Sequence, residues 1–138
     1  MDKKVVVNEW IKYSNHDLEA VHQLLTHRPL KVEIISYLCQ QSAEKMLKAF
    51  WHYSDIEPPR THDLALLNDR CITIDASFSD LRKECNRLNS YSGQPRYPFE
   101  LEITEEDMHL AIKSCEKISE FVKAKIIFEE LETTEDRL

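Results

Sequence analysis

Apolar residues recur at intervals of three, four and seven along most of the chain, the spacing that gathers them on one side of an α-helix. Trp10, Ile11, Leu18, Val21 and Leu25 form the first such stripe, with the small Ser14 inside it, and "THRPL" breaks the pattern at Pro29. This predicts a helix near 8–26. The stripe Ile35, Leu38, Cys39, Ser42, Met46, Ala49, Phe50 and Tyr53 is the most regular and ends at "EPP", which predicts a helix near 30–54. Past Pro58 and Pro59, Thr61 is placed to cap a short third helix through "HDLALLNDR", with Leu64, Leu67 and Cys71 turned inward. "SFSD" (Ser77 to Asp80) reads as a capping box opening a fourth helix with the stripe Phe78, Leu81, Cys85, Leu88. "TEED" (Thr104 to Asp107) repeats that signature before Met108, Ala111, Ile112, Cys115, Ile118 and Val122, a fifth helix expected over 104–131.

Joined by short loops, these elements predict an all-α fold, an up-and-down antiparallel helical bundle of four long helices plus one short helix. Residues 1–128 form the bundle domain, and 129–138 an acidic C-terminal tail expected to fray. The octapeptide "YSGQPRYP" (Tyr91 to Pro98) holds the one glycine and two of the five prolines, so it must turn the chain after the fourth helix. Breakers alone do not explain Tyr91, Arg96 and Tyr97, because plain connectors are built from small polar residues.

Composition narrows the chemistry. At 138 residues, 42% hydrophobic and 31% charged, the chain is long enough for one core and apolar enough to fold. The net charge is −7, but the last ten residues hold five acids and one base, leaving −3 for the body. A near-balanced body lacks the basic face of a non-specific DNA binder, so no DNA is expected. No apolar run is long enough for a membrane span, and "MDKKVVVNEW" is too short of apolar residues for a signal peptide, which points to a cytoplasmic protein. Cys39, Cys71, Cys85 and Cys115 stand far apart with no CxxC pair, so they read as buried reduced thiols, and neither a metal nor another cofactor is expected.

On the second helix Gln41, Glu44, Lys45 and Lys48 share a face opposite the apolar stripe, a solvated row in which Glu44 and Lys48 pair. Lys45, Lys48 and Gln41 there, with Arg96 from the turn, are candidates for holding a phosphate, and Tyr91 or Tyr97 for stacking a base. His62 joins them at the start of the third helix, where Asp63 complements the helix dipole. His16 and Asp17 point about 100° apart and do not form a catalytic pair. No catalytic residue is assigned.

"WIKYSNHDLEAV" (Trp10 to Val21), "CQQSAEKMLKAF" (Cys39 to Phe50), "RTHDLALL" (Arg60 to Leu67) and "YSGQPRYP" together resemble the HEPN domain family, the higher eukaryotes and prokaryotes nucleotide-binding domain, over roughly residues 8–127. The resemblance implies an all-α bundle, commonly a homodimer, that binds nucleotide or RNA and is partnered with a minimal nucleotidyltransferase in a toxin–antitoxin-like system. The family also contains metal-independent ribonucleases with a histidine shortly after an arginine. Here Arg87 is followed at the permitted places by Ser92, Gly93 and Gln94, and Arg96 by Leu101, Glu102 and Ile103. The missing imidazole removes the group suited to proton transfer at neutral pH, so a binding and interaction module is the expectation. A ribonuclease that uses another group such as His62, and a helical scaffold without ligand, are the alternatives. Trp10, Trp51 and Tyr53 are aromatic residues to spare for a dimer surface.

Overall fold

A computed structural model describes residues 2–91 and 102–128, and these are helical with no strand among them. The helices are α1 (Lys3–Leu24), α2 (Val32–Tyr53), α3 (Leu64–Ile74), α4 (Arg82–Asn89) and α5 (Glu105–Lys125). A 3-10 turn over Ala76–Leu81 leads directly into α4, and the two act as one limb.

Side-chain pairings set the helix directions. Lys3 at the start of α1 reaches Asp55 just past the end of α2, at 3.2 Å, so these two run antiparallel. Phe50 near the end of α2 meets Phe78 at the start of the α4 limb, ring centres 4.4 Å apart. Lys117 pairs with Glu84 at 3.1 Å while Arg87 donates to Ser114 Oγ at 3.3 Å, so α4 and α5 are also antiparallel. Thus α1, α2, the α4 limb and α5 alternate in direction, and the short α3 lies against the α4 limb.

α2 is the central helix. Twelve of its 22 residues are buried, against three in α1, because α1, α3, α4 and α5 all pack on it. Where α1 crosses it, Ser14 Oγ donates to Ser42 O at 2.7 Å and Ser42 Oγ donates to Ser14 O at 2.8 Å. Two small side chains that satisfy each other's backbone let the helices approach closely. On its other side Ile35, Cys39, Met46, Leu47 and Phe50 meet Leu67, Phe78, Leu88, Met108, Ile112, Cys115 and Ile118 in one apolar core. Each such large side chain contributes about 1.5–3 kcal/mol when fully buried. All four cysteines are buried and unpaired, and burial pushes the Cys71 and Cys85 thiols up to about 12.

The helix ends depart from the pattern in instructive ways. α1 begins five residues before the expected boundary because Asp2 accepts from Lys4 N at 3.0 Å and caps it. α3 is capped by Asp63 and not by Thr61: Asp63 accepts from Leu66 N, and Thr61 Oγ1 accepts from Asp63 N. The "SFSD" box does not form, since Asp75 lies two residues upstream and captures both the amide and the hydroxyl of Ser77, at 3.0 and 2.6 Å. The Thr104–Asp107 box does form, with both reciprocal bonds at 3.0 Å. α5 ends at Lys125, short of the expected 131, and residues 129–131 lie outside the described ones. Of the spare aromatics, Trp51 is core: it is buried, with Nε1 donating to Leu67 O at 3.4 Å.

Candidate functional site

The face of α2 that turns toward α1 and the start of α3 is polar, yet it is not the solvated row its charges suggest. Glu44 keeps only 5% of its surface exposed, and Gln40 is fully buried beside it. A buried carboxylate must be paired and hydrogen-bonded to remain charged. Lys48 Nζ, one turn along α2, donates to Glu44 Oε2 at 2.9 Å, and Gln40 Nε2 donates to Oε1 at 3.3 Å. Gln40 Nε2 also donates to the His62 carbonyl at 3.1 Å, while Gln41 Nε2 donates to Gln40 Oε1 at 2.7 Å.

His62 completes this network. Its Nδ1 lies 3.0 and 3.1 Å from the two Glu44 oxygens, and its side chain is 73% exposed. A carboxylate only accepts, so Nδ1 carries the hydrogen and Nε2 faces solvent as a lone pair in the neutral ring or as a second N–H in the charged one. A neutral ring held so is a base or a nucleophile, and a charged one an anion ligand. The loop that carries His62 is held by Gln40 on one side and by Asn89 on the other: Asp63 accepts from Asn89 Nδ2 at 2.9 Å, and Asn89 Oδ1 accepts from Leu64 N at 3.0 Å. The end of α4 therefore clamps the start of α3.

The α1 wall of this seam is made by Asp17, which accepts from Lys45 Nζ at 2.6 Å, and by Trp10, whose ring centre is 5.9 Å from Lys48 Nζ. Of the expected ligand residues, Gln41, Lys45, Lys48 and His62 thus fall on one seam between α1, α2 and the start of α3. Lys45 and Lys48 are not free cations there, because each already holds a carboxylate. Tyr91 is not an exposed ring: it is buried to 8% at the end of α4, and burial raises its phenol pKa, with Asp107 adding to the rise and Arg87 opposing it. Arg96 and Tyr97 lie outside the described residues, as does the turn they belong to. Sequence reading missed Gln40 and Trp10 as seam residues and took Glu44 for a solvated charge. The missed signal is that Glu44 and Lys48 sit within the central helix, on which α1, α3, α4 and α5 all pack.

Among the described residues no group of three or more metal-ligating side chains occurs, and no helix is long and apolar enough to cross a membrane.

The architecture is that of an all-helical bundle with an apolar core and a polar seam along α2. The family model of the HEPN domain matches residues 7–126, so the chain belongs to the HEPN family. It is similar in structure to an archaeal HEPN homologue known from a crystal structure, with a TM-score of 0.71 and 26% identity over 88% of this chain and 98% of that one. No curated protein matches. Membership supports a nucleotide- or RNA-related module.

Proposed function

We propose that this HEPN domain binds a nucleotide or RNA at the seam between α1, α2 and the start of α3, and acts as the dimeric partner of a minimal nucleotidyltransferase in a toxin–antitoxin-like pair. The observation that supports the ligand site is the exposed His62 imidazole tethered to the buried Glu44. Burying a carboxylate and an amide in a bundle core adds nothing that apolar residues of the same size would not supply, so the network's distinctive product is a fixed, solvent-facing ring. Lys48, whose side chain is 12% exposed, uses one of its three N–H groups on Glu44. Phosphate oxygens suit both donors.

Titration of the protein with ATP and with a short single-stranded RNA tests the site. Saturable binding that His62→Ala and Lys48→Ala each weaken at least several-fold is the expected result. No saturable binding of either ligand at millimolar concentration sinks the reading. For the partner, co-purification with a nucleotidyltransferase encoded beside it and a solution mass near twice 16.3 kDa are expected. A monomer at tens of micromolar counts against the dimer.

The same His62–Glu44 pair favours a second reading, a ribonuclease. With Nδ1 on a carboxylate, Nε2 can take the proton of a ribose 2′-hydroxyl. RNA cleavage that His62→Ala abolishes, with Glu44→Gln strongly reduced, would place this reading ahead of a pure binding role.

A further inference from the structure

The two indoles of the chain are placed differently. Trp51 is sealed in the core, whereas Trp10 stays half-buried on the outer wall of the seam. Its ring lies nearly parallel to the His52 imidazole, with 20° between the planes and centres 5.8 Å apart. That is a displaced arrangement, in which the smaller ring covers only part of the larger one. Tyr13, three residues along α1 and so on the same side, is 50% exposed, meets His16 edge-on, and has Lys12 Nζ over its ring at 5.6 Å. Trp10 and Tyr13 therefore share one side of α1, with Lys48 beside the first ring and Lys12 over the second.

We infer that Trp10 is a base-stacking platform, and that the ligand of the seam is a single nucleoside phosphate whose base lies on Trp10 while its phosphates face Lys48 and His62. This deepens the reading of the seam as a nucleotide or RNA site and rests on it. Charge selects the ligand class. A long polyanion is held by several uncompensated cations whose counterions it displaces, but here Lys45 is matched by Asp17 and Lys48 by Glu44. A single nucleotide needs only a flat ring for its base and one or two donors for its phosphate, which Trp10, Lys48 and His62 supply.

Calorimetric titration with ATP, inorganic pyrophosphate and an adenosine RNA hexamer tests this. The wild-type protein is expected to hold ATP more tightly than pyrophosphate and no less tightly than the hexamer. Trp10→Ala should weaken ATP about 5- to 150-fold, the loss that removing one base-stacking ring corresponds to, and leave pyrophosphate unchanged. Trp10→Phe should retain most of the affinity, and His62→Ala should weaken both ligands. Circular dichroism checks that each variant folds; if Trp10→Ala does not, Trp10→Leu, which keeps apolar bulk without a ring face, takes its place. ATP affinity within twofold of wild type in a folded Trp10 variant overturns the platform, while His62-dependent binding of both ligands would leave the seam reading standing. A hexamer bound many-fold more tightly than ATP overturns the single-nucleotide class. No binding of any ligand removes the seam reading itself.

Discussion

The two long sides of α2 are both packed against other helices and built on opposite principles. Toward α4 and α5 the helix presents Cys39, Met46 and Phe50 to a dry core in which Phe78 touches both Phe50 and Phe121, at 4.4 and 5.0 Å between ring centres. Toward α1 and the start of α3 it presents Gln40, Glu44 and Lys48, all engaged in hydrogen bonds. The dry side holds by area and shape, so its interactions are many, weak and replaceable. The polar side holds by a few fixed partners, so it is intolerant of losing one member yet indifferent to losing all of them. Stability thus comes mostly from the first side, and whatever the second side is kept for is orientation.

The largest effect that separates the two sides is expected at Phe78. Phe78→Ala leaves a void between Phe50 and Phe121 and should lower unfolding free energy by about 3–5 kcal/mol, read by denaturant titration with an unchanged slope. A loss below about 1 kcal/mol would mean that the dry side is looser than its packing implies.

Next comes Glu44. Glu44→Ala leaves the largely buried Lys48 without its acceptor and unties the exposed His62; it should cost about 1–3 kcal/mol, the usual penalty for an orphaned buried polar group. The same measurement on the triple variant Gln40→Leu, Glu44→Leu, Lys48→Met should show a smaller loss than Glu44→Ala alone, since replacing a whole buried polar set by apolar groups is often neutral. Additive losses in the triple variant would break the contrast between the sides.

A third and smaller effect concerns what the sequence can say about helix ends. Two patterns of the same form, "SFSD" and "TEED", are read alike from the chain, yet only the second makes a capping box. The difference lies upstream: Asp75 captures Ser77 from two residues before it, whereas Thr104 keeps both bonds with Asp107 although Glu102 stands in the corresponding place. Thr104→Ala should therefore cost about 1 kcal/mol, seen as a lower thermal midpoint, and Ser77→Ala less. Equal losses would show that the two ends are not built differently after all.

The same asymmetry governs what was legible overall. The apolar stripes fix the existence and order of the helices, because period and burial coincide there. The seam was legible only as a set of polar residues on one helix. Its burial depends on the neighbours, and the loop that brings His62 back to Glu44 is 18 residues away in sequence, a closure no periodicity records. Trp10 was visible as a spare aromatic but not as a wall of the seam, for the same reason. Tyr91, in turn, was a candidate for stacking a base, whereas the chain makes one more turn past α4 and buries it.

The smallest expected effect marks a third regime, a polar junction at the surface, and sets a scale for the buried seam. Asp75 closes α3 and opens the 3-10 turn, and it also pairs with Lys125 of α5 at 3.0 Å. Hydrogen bonds from Ser77, helped by Lys125, hold its carboxyl down at about 2 from the usual 3.8. A depressed carboxyl binds protons less readily in the folded chain than in the unfolded one. Its contribution is therefore fully present above about 4 and is lost as the pH falls from there toward 2. Because Asp75 is about a third open to solvent, water screens much of this. Asp75→Asn should then change stability little at pH 7 beyond the loss of one cap. It should also flatten the acid limb of the unfolding curve between pH 4 and pH 2, measured by denaturant titration at each pH. If the acid limbs of the variant and the wild type superimpose, the junction is not where acid acts.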